Sequence, residues 1–164
     1  MGDQVALHAR GWIGTPYAHQ ASVRGAGTDC LGLLRGVWRE VLGQEPVRVP
    51  AYTRDWSEPG RDEVLWKAAR RYLIEKPLGT YVAGDVVLFR MRSGSVAKHL
   101  GIIGQGGKAP SFVHAYSGHG VVESPLTPPW ARRIVARFAF PELTEIAVQE
   151  RPDPVSAPGH QRKD

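Results

Sequence analysis

Cysteine is almost absent from this sequence: Cys30 is the single one among 164 residues. An intrachain disulfide is therefore impossible, and zinc sites built from several cysteines are excluded. Long apolar runs are missing as well, so no segment is expected to span a membrane. The first residues, Met1 to Arg10, carry Asp3, His8 and Arg10 where a signal peptide would need an apolar core. No secretory signal is expected, and synthesis in the cytoplasm follows. There is no basic stripe interleaved with aromatics, which argues against a nucleic-acid partner. No internal repeat is present.

What remains is a chain of ordinary globular composition, long enough for one domain with a real core. The formal net charge is +5, which suits an anionic partner: nucleic acid, a membrane surface or a cell-wall polymer. Part of it comes from arginines scattered over solvated positions, among them Arg70, Arg71, Arg132 and Arg133.

Apolar spacing predicts a short helix over Val5–Ile13, with Val5, Ala9, Trp12 and Ile13 on one side and Leu7 off it. Gly14-Thr15-Pro16 stops it, and the glycine-rich stretch His19–Thr28 reads as a loop. A stronger helix is expected over Cys30–Leu42. Thr28 and Asp29 offer N-caps and Gly43 a stop. Residues 44–60 read as irregular. A third helix is expected over Arg61–Glu75, burying Val64, Leu65, Ala68, Tyr72 and Leu73. The period then changes. Asp85–Arg90, His99–Gly104, Ser111–Ser117, Gly120–Glu123 and Ile134–Phe140 read as short strands. Helices followed by a strand meander predict an α+β fold, with the helices packed on a central antiparallel sheet. One folded domain is expected over 1–145, and a polar, proline-containing tail over 146–164.

A lone cysteine is ordinarily an inert core residue. Cys30 differs by its place at the start of a helix, where unpaired N–H groups carry partial positive charge. That setting is expected to favour the thiolate, and the same N–H groups can hydrogen-bond an oxyanion. A thiolate nucleophile needs a base, normally histidine. His8 and His160 read as surface residues, and His19 lies in the loop before Cys30. His99 and His114 fall on two expected strands whose hairpin centre lies between Gly106 and Gly107. They are then opposed, or one residue off, on one sheet face, with Cβ atoms roughly 5 Å apart. One imidazole can orient the other, as in a nucleophile–base–orienter triad. His119, in a turn, is the weaker candidate for the third role.

The stretches Gly14-Thr15-Pro16-Tyr17, Asp29-Cys30-Leu31-Gly32-Leu33, Ala83-Gly84-Asp85-Val86-Val87-Leu88-Phe89 and His99-Leu100-Gly101-Ile102 stand in this order along the chain. Phe112-Val113-His114-Ala115-Tyr116 and Gly120-Val121-Val122-Glu123 follow. Together they resemble the NlpC/P60 cysteine peptidases over roughly residues 4–140. The resemblance implies a papain-like core and cleavage of peptidoglycan stem peptides, usually between γ-D-glutamyl and a diamino acid. It implies Cys30 as nucleophile, His99 as general base and His114 as the residue that orients the base. It implies Tyr17 near the nucleophile, at the oxyanion site or pocket. Asp29 would bind a substrate amine or cap the helix. No metal or cofactor is implied. Leu31 departs from the serine that many members carry after the cysteine. Without a signal or wall-binding repeats, and with Glu123-Ser124-Pro125-Leu126 leading to Trp130, the chain looks most like the phage and gene-transfer-agent branch. Phage-like tail proteins are then possible partners, and the wall is reached in a particle or after lysis. A CHAP-like N-acetylmuramoyl-L-alanine amidase and a non-catalytic tail-assembly component are the alternatives.

Overall fold

The computed structural model describes residues 1–54 and 60–149. Three helices come first: α1 (Gly2–Arg10), α2 (Cys30–Leu42) and α3 (Val64–Tyr72). Between α1 and α2 a small ladder pairs β1 (Ser22–Val23) with β2 (Gly27–Thr28). The remaining strands are β3 (Ile74–Lys76), β4 (Val86–Phe89), β5 (His99–Gln105), β6 (Ser111–Tyr116), β7 (Gly120–Pro125) and β8 (Ile134–Ala139). They form one six-stranded sheet in the order β3-β8-β4-β5-β6-β7, and every neighbouring pair is antiparallel. The short α4 (Pro128–Ala131) joins β7 to β8, and α5 (Leu143–Gln149) follows the sheet. The α+β architecture read from the sequence is the observed one.

α2 has the bounds expected from its caps. The Asp29 backbone is extended, and its Oδ1 accepts from the Gly32 N–H at 2.7 Å. Gly43, at φ +90°, ends the helix in a conformation that side chains disfavour. Leu33, Val37 and Trp38 face inward and are buried, each contributing about 1.5–3 kcal/mol of apolar burial. Two glycines let this helix approach its neighbours. A Cβ on Gly32 would lie 1.9 Å from the Ala21 carbonyl oxygen, and one on Gly36 would lie 2.0 Å from the Trp12 ring.

Alternation in the strands divides the core in two. Val86, Leu88, Leu100, Ile102, Val113, Ala115, Ala136 and Phe138 pack against Val5, Trp12, Leu33, Val37 and Leu65 from the helical layer. Val87, Phe89, Ile103, Phe112 and Ile134 point to the other face, where Leu126 and Trp130 cover them.

Several expectations need correction. α1 begins and ends three residues earlier than its apolar pattern suggested. Trp12 is still buried, but Ile13 is exposed. α3 is shorter than expected because Leu73 turns extended and Ile74–Lys76 joins the sheet beside β8. Its buried residues are Leu65, Ala69 and, just beyond, Leu73, whereas Val64 and Ala68 are exposed. The stretch His19–Thr28 is not all loop, since β1 and β2 lie in it. Of the expected tail, the first residues belong to α5, and Ile146 packs against the core. Residues 150–164 lie outside the described residues. Among the described residues no helix is long and apolar enough to cross a membrane.

Candidate active site

The first turn of α2 sets Cys30 against the start of β5. Its Sγ lies 3.8 Å from the Lys98 carbonyl oxygen, and the Leu100 N–H also reaches the sulfur. The thiol thus touches backbone on both sides of His99. Its acidity is the reverse of what helix position alone suggested. Burial, and after it the Asp29 carboxylate, push the thiol up to about 12 from an ordinary 9.0. The N–H groups of Leu100, Leu31 and Cys30 pull the other way and do not prevail. Desolvation of the thiol, with a carboxylate beside it, outweighs a half-charge at a helix end. Cys30 is therefore a neutral thiol at rest. Carbamidomethylation by iodoacetamide is expected to be slower than that of free cysteine at pH 7 and to keep rising past pH 9. A rate that levels off below pH 8 would contradict this.

His99 opens β5 on the face away from the helices. Its Nε2 lies 2.9 Å from His114 Nδ1 on β6, and His114 Nε2 lies 3.0 Å from Ser124 Oγ on β7. The register differs from the simple hairpin expected. Ile102 pairs with Val113, and a bulge follows between Ile103 and Gln105. Continuing that pairing sets His114 across from Gly101, so the two histidines are diagonal neighbours. The displacement is even, so they still share a face. Phe89, Phe112, Tyr116 and Trp130 enclose them, with ring centroids 4.2–6.4 Å from one or the other imidazole. Desolvation, and then the neighbouring His114, hold His99 well below the ordinary 6.5. Desolvation, then His119, lowers His114 too. Both imidazoles are neutral at neutral pH. One tautomer assignment leaves His99 Nδ1 an acceptor: His99 Nε2–H donates to His114 Nδ1, and His114 Nε2–H donates to Ser124 Oγ. His99 Nδ1 has no hydrogen-bond partner among the described residues. His119 stacks on Tyr116 instead, at 5.3 Å and 11°.

Asp29 is buried beneath this arrangement with both oxygens in use. Oδ1 caps α2, while Oδ2 accepts from the Gln20 N–H at 2.7 Å and the Tyr52 hydroxyl at 2.5 Å. His19 Nδ1 is 3.7 Å from Oδ2, and its ring meets Tyr52 edge-on. The geometry gives Asp29 the capping role and ties it to the loop that carries Tyr52. Asp29→Ala removes a helix cap and strands two donors. It is expected to cost about 2–4 kcal/mol in urea unfolding, with Asp29→Asn costing less. Tyr17 is half-buried and joined to Thr28 by an isolated bridge. Burial raises its phenol, and so do the neighbouring Asp29 carboxylate and, once ionised, the Cys30 thiol, which places it in the nucleophile's electrostatic reach.

The structure thus gathers Cys30, Tyr17 and Asp29 at the head of α2 and His99 and His114 on the adjoining strands. Sequence reasoning missed Ser124 as the end of the hydrogen-bonded row, and Tyr52 as the partner of Asp29. The period-2 pattern of β7 carried a signal for the first, because Ser124 shares a face with Val122, the partner of His114. Tyr52 lies in an irregular segment that offered none. Among the described residues no three His, Cys, Asp or Glu side chains are grouped to hold a metal ion.

The sequence profile of the NlpC/P60 family matches residues 14–138. No curated protein sequence matches the chain. Among solved structures, the NlpC/p60 domain of the peptidoglycan hydrolase SagA superposes with a TM-score of 0.59 at 19% identity. That match covers 85% of this chain and 99% of that one. An NlpC/P60 protein from Bacillus cereus ATCC 10987 gives 0.56 at 18% identity, covering 84% of this chain and 39% of that one. One similar to lipoprotein from Staphylococcus aureus subsp. aureus Mu50 gives 0.53 at 20%, covering 84% and 41%. This chain therefore spans about two fifths of the latter two. The profile match, over the segment that holds Tyr17, Cys30, His99 and His114, shows that the chain belongs to the NlpC/P60 family.

Proposed function

We propose that this protein is a cysteine peptidase that hydrolyses the peptide part of bacterial peptidoglycan. One observation carries the reading. Cys30 Sγ rests against the backbone flanking His99, and His99 heads a hydrogen-bonded row through His114 to Ser124.

Both partners start neutral, so proton transfer accompanies attack. Cys30 Sγ bonds to the scissile carbonyl carbon while its proton passes to His99 Nδ1. His114 holds the imidazole ring in place through Nε2. The N–H groups at the head of α2, with Tyr17 nearby, face the oxyanion. The C–N bond then breaks, and His99 returns the proton to the leaving amine. Water, deprotonated by His99, attacks the thioester and frees Cys30.

The family points to the bond between γ-D-glutamyl and the diamino acid. The phage and gene-transfer-agent likeness supports delivery in a tail or by lysis, with tail proteins as partners. Product masses from a muropeptide digest test the assignment. Dipeptide and tripeptide fragments support endopeptidase action, and release of the lactyl–L-Ala link shows an amidase. No cleavage of walls from many bacteria would end the hydrolase reading.

A further inference from the structure

The turn between β6 and β7 is fastened to the segment that carries Tyr17. Gly14 N–H donates to the Val121 carbonyl at 3.0 Å, and Val121 N–H to the Thr15 carbonyl at 2.9 Å. Gly120, at φ +69°, lets the two chains meet, since a Cβ there would lie 2.5 Å from the Thr15 carbonyl oxygen. An open groove of about 380 Å³ remains between residues 14–17 and 118–120. Tyr17 lines it from one segment, within the nucleophile's electrostatic reach, and His119 lines it from the turn.

His119 is exposed, yet its ring is held. It stacks on Tyr116, whose ring lies 5.5 Å from that of His114 and 6.4 Å from that of His99. His119 also acts electrostatically on His114, so the turn belongs to the surroundings of the histidine pair. Stacking fixes the plane of an imidazole and leaves both nitrogens free at its edge. Neither nitrogen has a hydrogen-bond partner among the described residues, and neither has the Tyr17 hydroxyl. The third polar side chain of the groove is Thr15, which is buried and accepts from the Gly25 N–H at 2.9 Å. Arg54, exposed at the end of the segment that carries Tyr52, adds a cation whose field reaches the Tyr17 phenol. The Asp29 carboxylate is felt there as well, but its oxygens are occupied by Gly32, Gln20 and Tyr52. A phenol and an imidazole both offer a proton to an acceptor. Two unpaired donors on one groove, with a guanidinium near, suit a carboxylate.

We infer that this groove binds a substrate carboxylate beside the scissile bond, with His119 as the residue that selects for it. The stem peptide as ligand rests on the peptidase reading above. Two groups of such a peptide have the required chemistry. The free α-carboxylate of a γ-linked glutamyl residue hangs three carbons from the scissile carbonyl, and the carboxylate of the diamino acid stands one carbon from the scissile nitrogen.

Isothermal titration calorimetry of the full chain carrying Cys30→Ala reads the binding without turnover. Three probes separate the two groups. L-Ala-γ-D-Glu-L-Lys-amide keeps only the glutamyl carboxylate, L-Ala-γ-D-isoglutaminyl-L-Lys keeps only the lysyl one, and L-Ala-γ-D-isoglutaminyl-L-Lys-amide has neither. At least one of the first two is expected to bind about fivefold more tightly than the third, or better, and the tighter one identifies the carboxylate. His119→Ala is expected to erase the preference. So is His119→Phe, which keeps a ring to stack on Tyr116 but has no donor, whereas His119→Gln should restore part of it. No binding, equal binding of all three probes, or a preference that survives both His119→Ala and His119→Phe overturns the inference. Wall cleavage by the unaltered protein without the carboxylate preference would sink the groove alone. The preference without cleavage of any wall would sink the peptidase reading alone.

Discussion

Cys30→Ala is expected to lower kcat/KM on muropeptides by on the order of 10⁴-fold or more, to the limit of detection. No other thiol exists in the chain to substitute, and the N–H groups at the head of α2 have no nucleophile to assist. The folded structure should survive. Cys30 is half-buried, its sulfur makes only weak contacts to the Lys98 carbonyl and the Leu100 N–H, and it caps nothing. Far-ultraviolet circular dichroism and the urea midpoint are therefore expected to change little. Cys30→Ser is a sharper control, since it keeps the shape and replaces sulfur with a less polarisable, less acidic hydroxyl. It should be nearly as inactive, because His99 cannot carry a serine proton away as readily. If Cys30→Ala retained a tenth of the activity, the thiol would have no covalent role. The mechanism above would then fail whatever the products were.

The helical half of the fold was legible where local chemistry was complete. α2 announced both ends through Asp29 and Gly43. β3 was invisible because its three residues, Ile74–Lys76, have no alternation of their own and become a strand only by pairing with β8. The histidine pair was legible through parity. The observed pairing beyond the bulge is displaced by two residues from the symmetric hairpin, so the shared face survived although the direct opposition did not. Asp29 stood next to Cys30 in the sequence, yet the size of its effect depends on burial. At the surface its charge would be screened by water. Enclosed at 3% exposure, it adds to the larger effect of the thiol's own burial, and the two together outweigh the helix end. Tyr52 was out of reach for a different reason. Its hydrogen bond to Asp29 crosses 23 positions of chain through an irregular, proline-containing segment, where no periodicity fixes a direction.

His99→Ala is expected to lower kcat by on the order of 10³-fold or more, since the proposed mechanism has no other base for the thiol proton. The pH dependence tests the arrangement more stringently than the loss itself. His99 must be neutral to accept the Cys30 proton, and burial and His114 hold its pKa well below 6.5. The acid limb of kcat/KM should then lie below pH 6.5. The neutral thiol adds no acid limb of its own, because its ionisation lies near 12. Removing His114 takes away the second cause of the depression and opens space for water. In His114→Ala the limb should move up toward 6.5 while kcat falls, and His114→Gln, which retains polar atoms toward His99 Nε2, should recover part of the rate. A purely structural His114 would lower activity at every pH and leave the limb in place. The same shifts set the sign for stability. In the unfolded chain both imidazoles take up protons near 6.5, whereas in the folded one they resist down to about 3 for His99 and about 4 for His114. Unfolding therefore binds protons, and stability is lost as the pH falls from 6.5 toward those values. Urea midpoints measured between pH 7 and pH 4 should decline for the wild type and less steeply for His114→Ala. An acid limb above 6.5 in the wild type would mean that the imidazoles are not desolvated together, and the neutral resting pair would have to be given up.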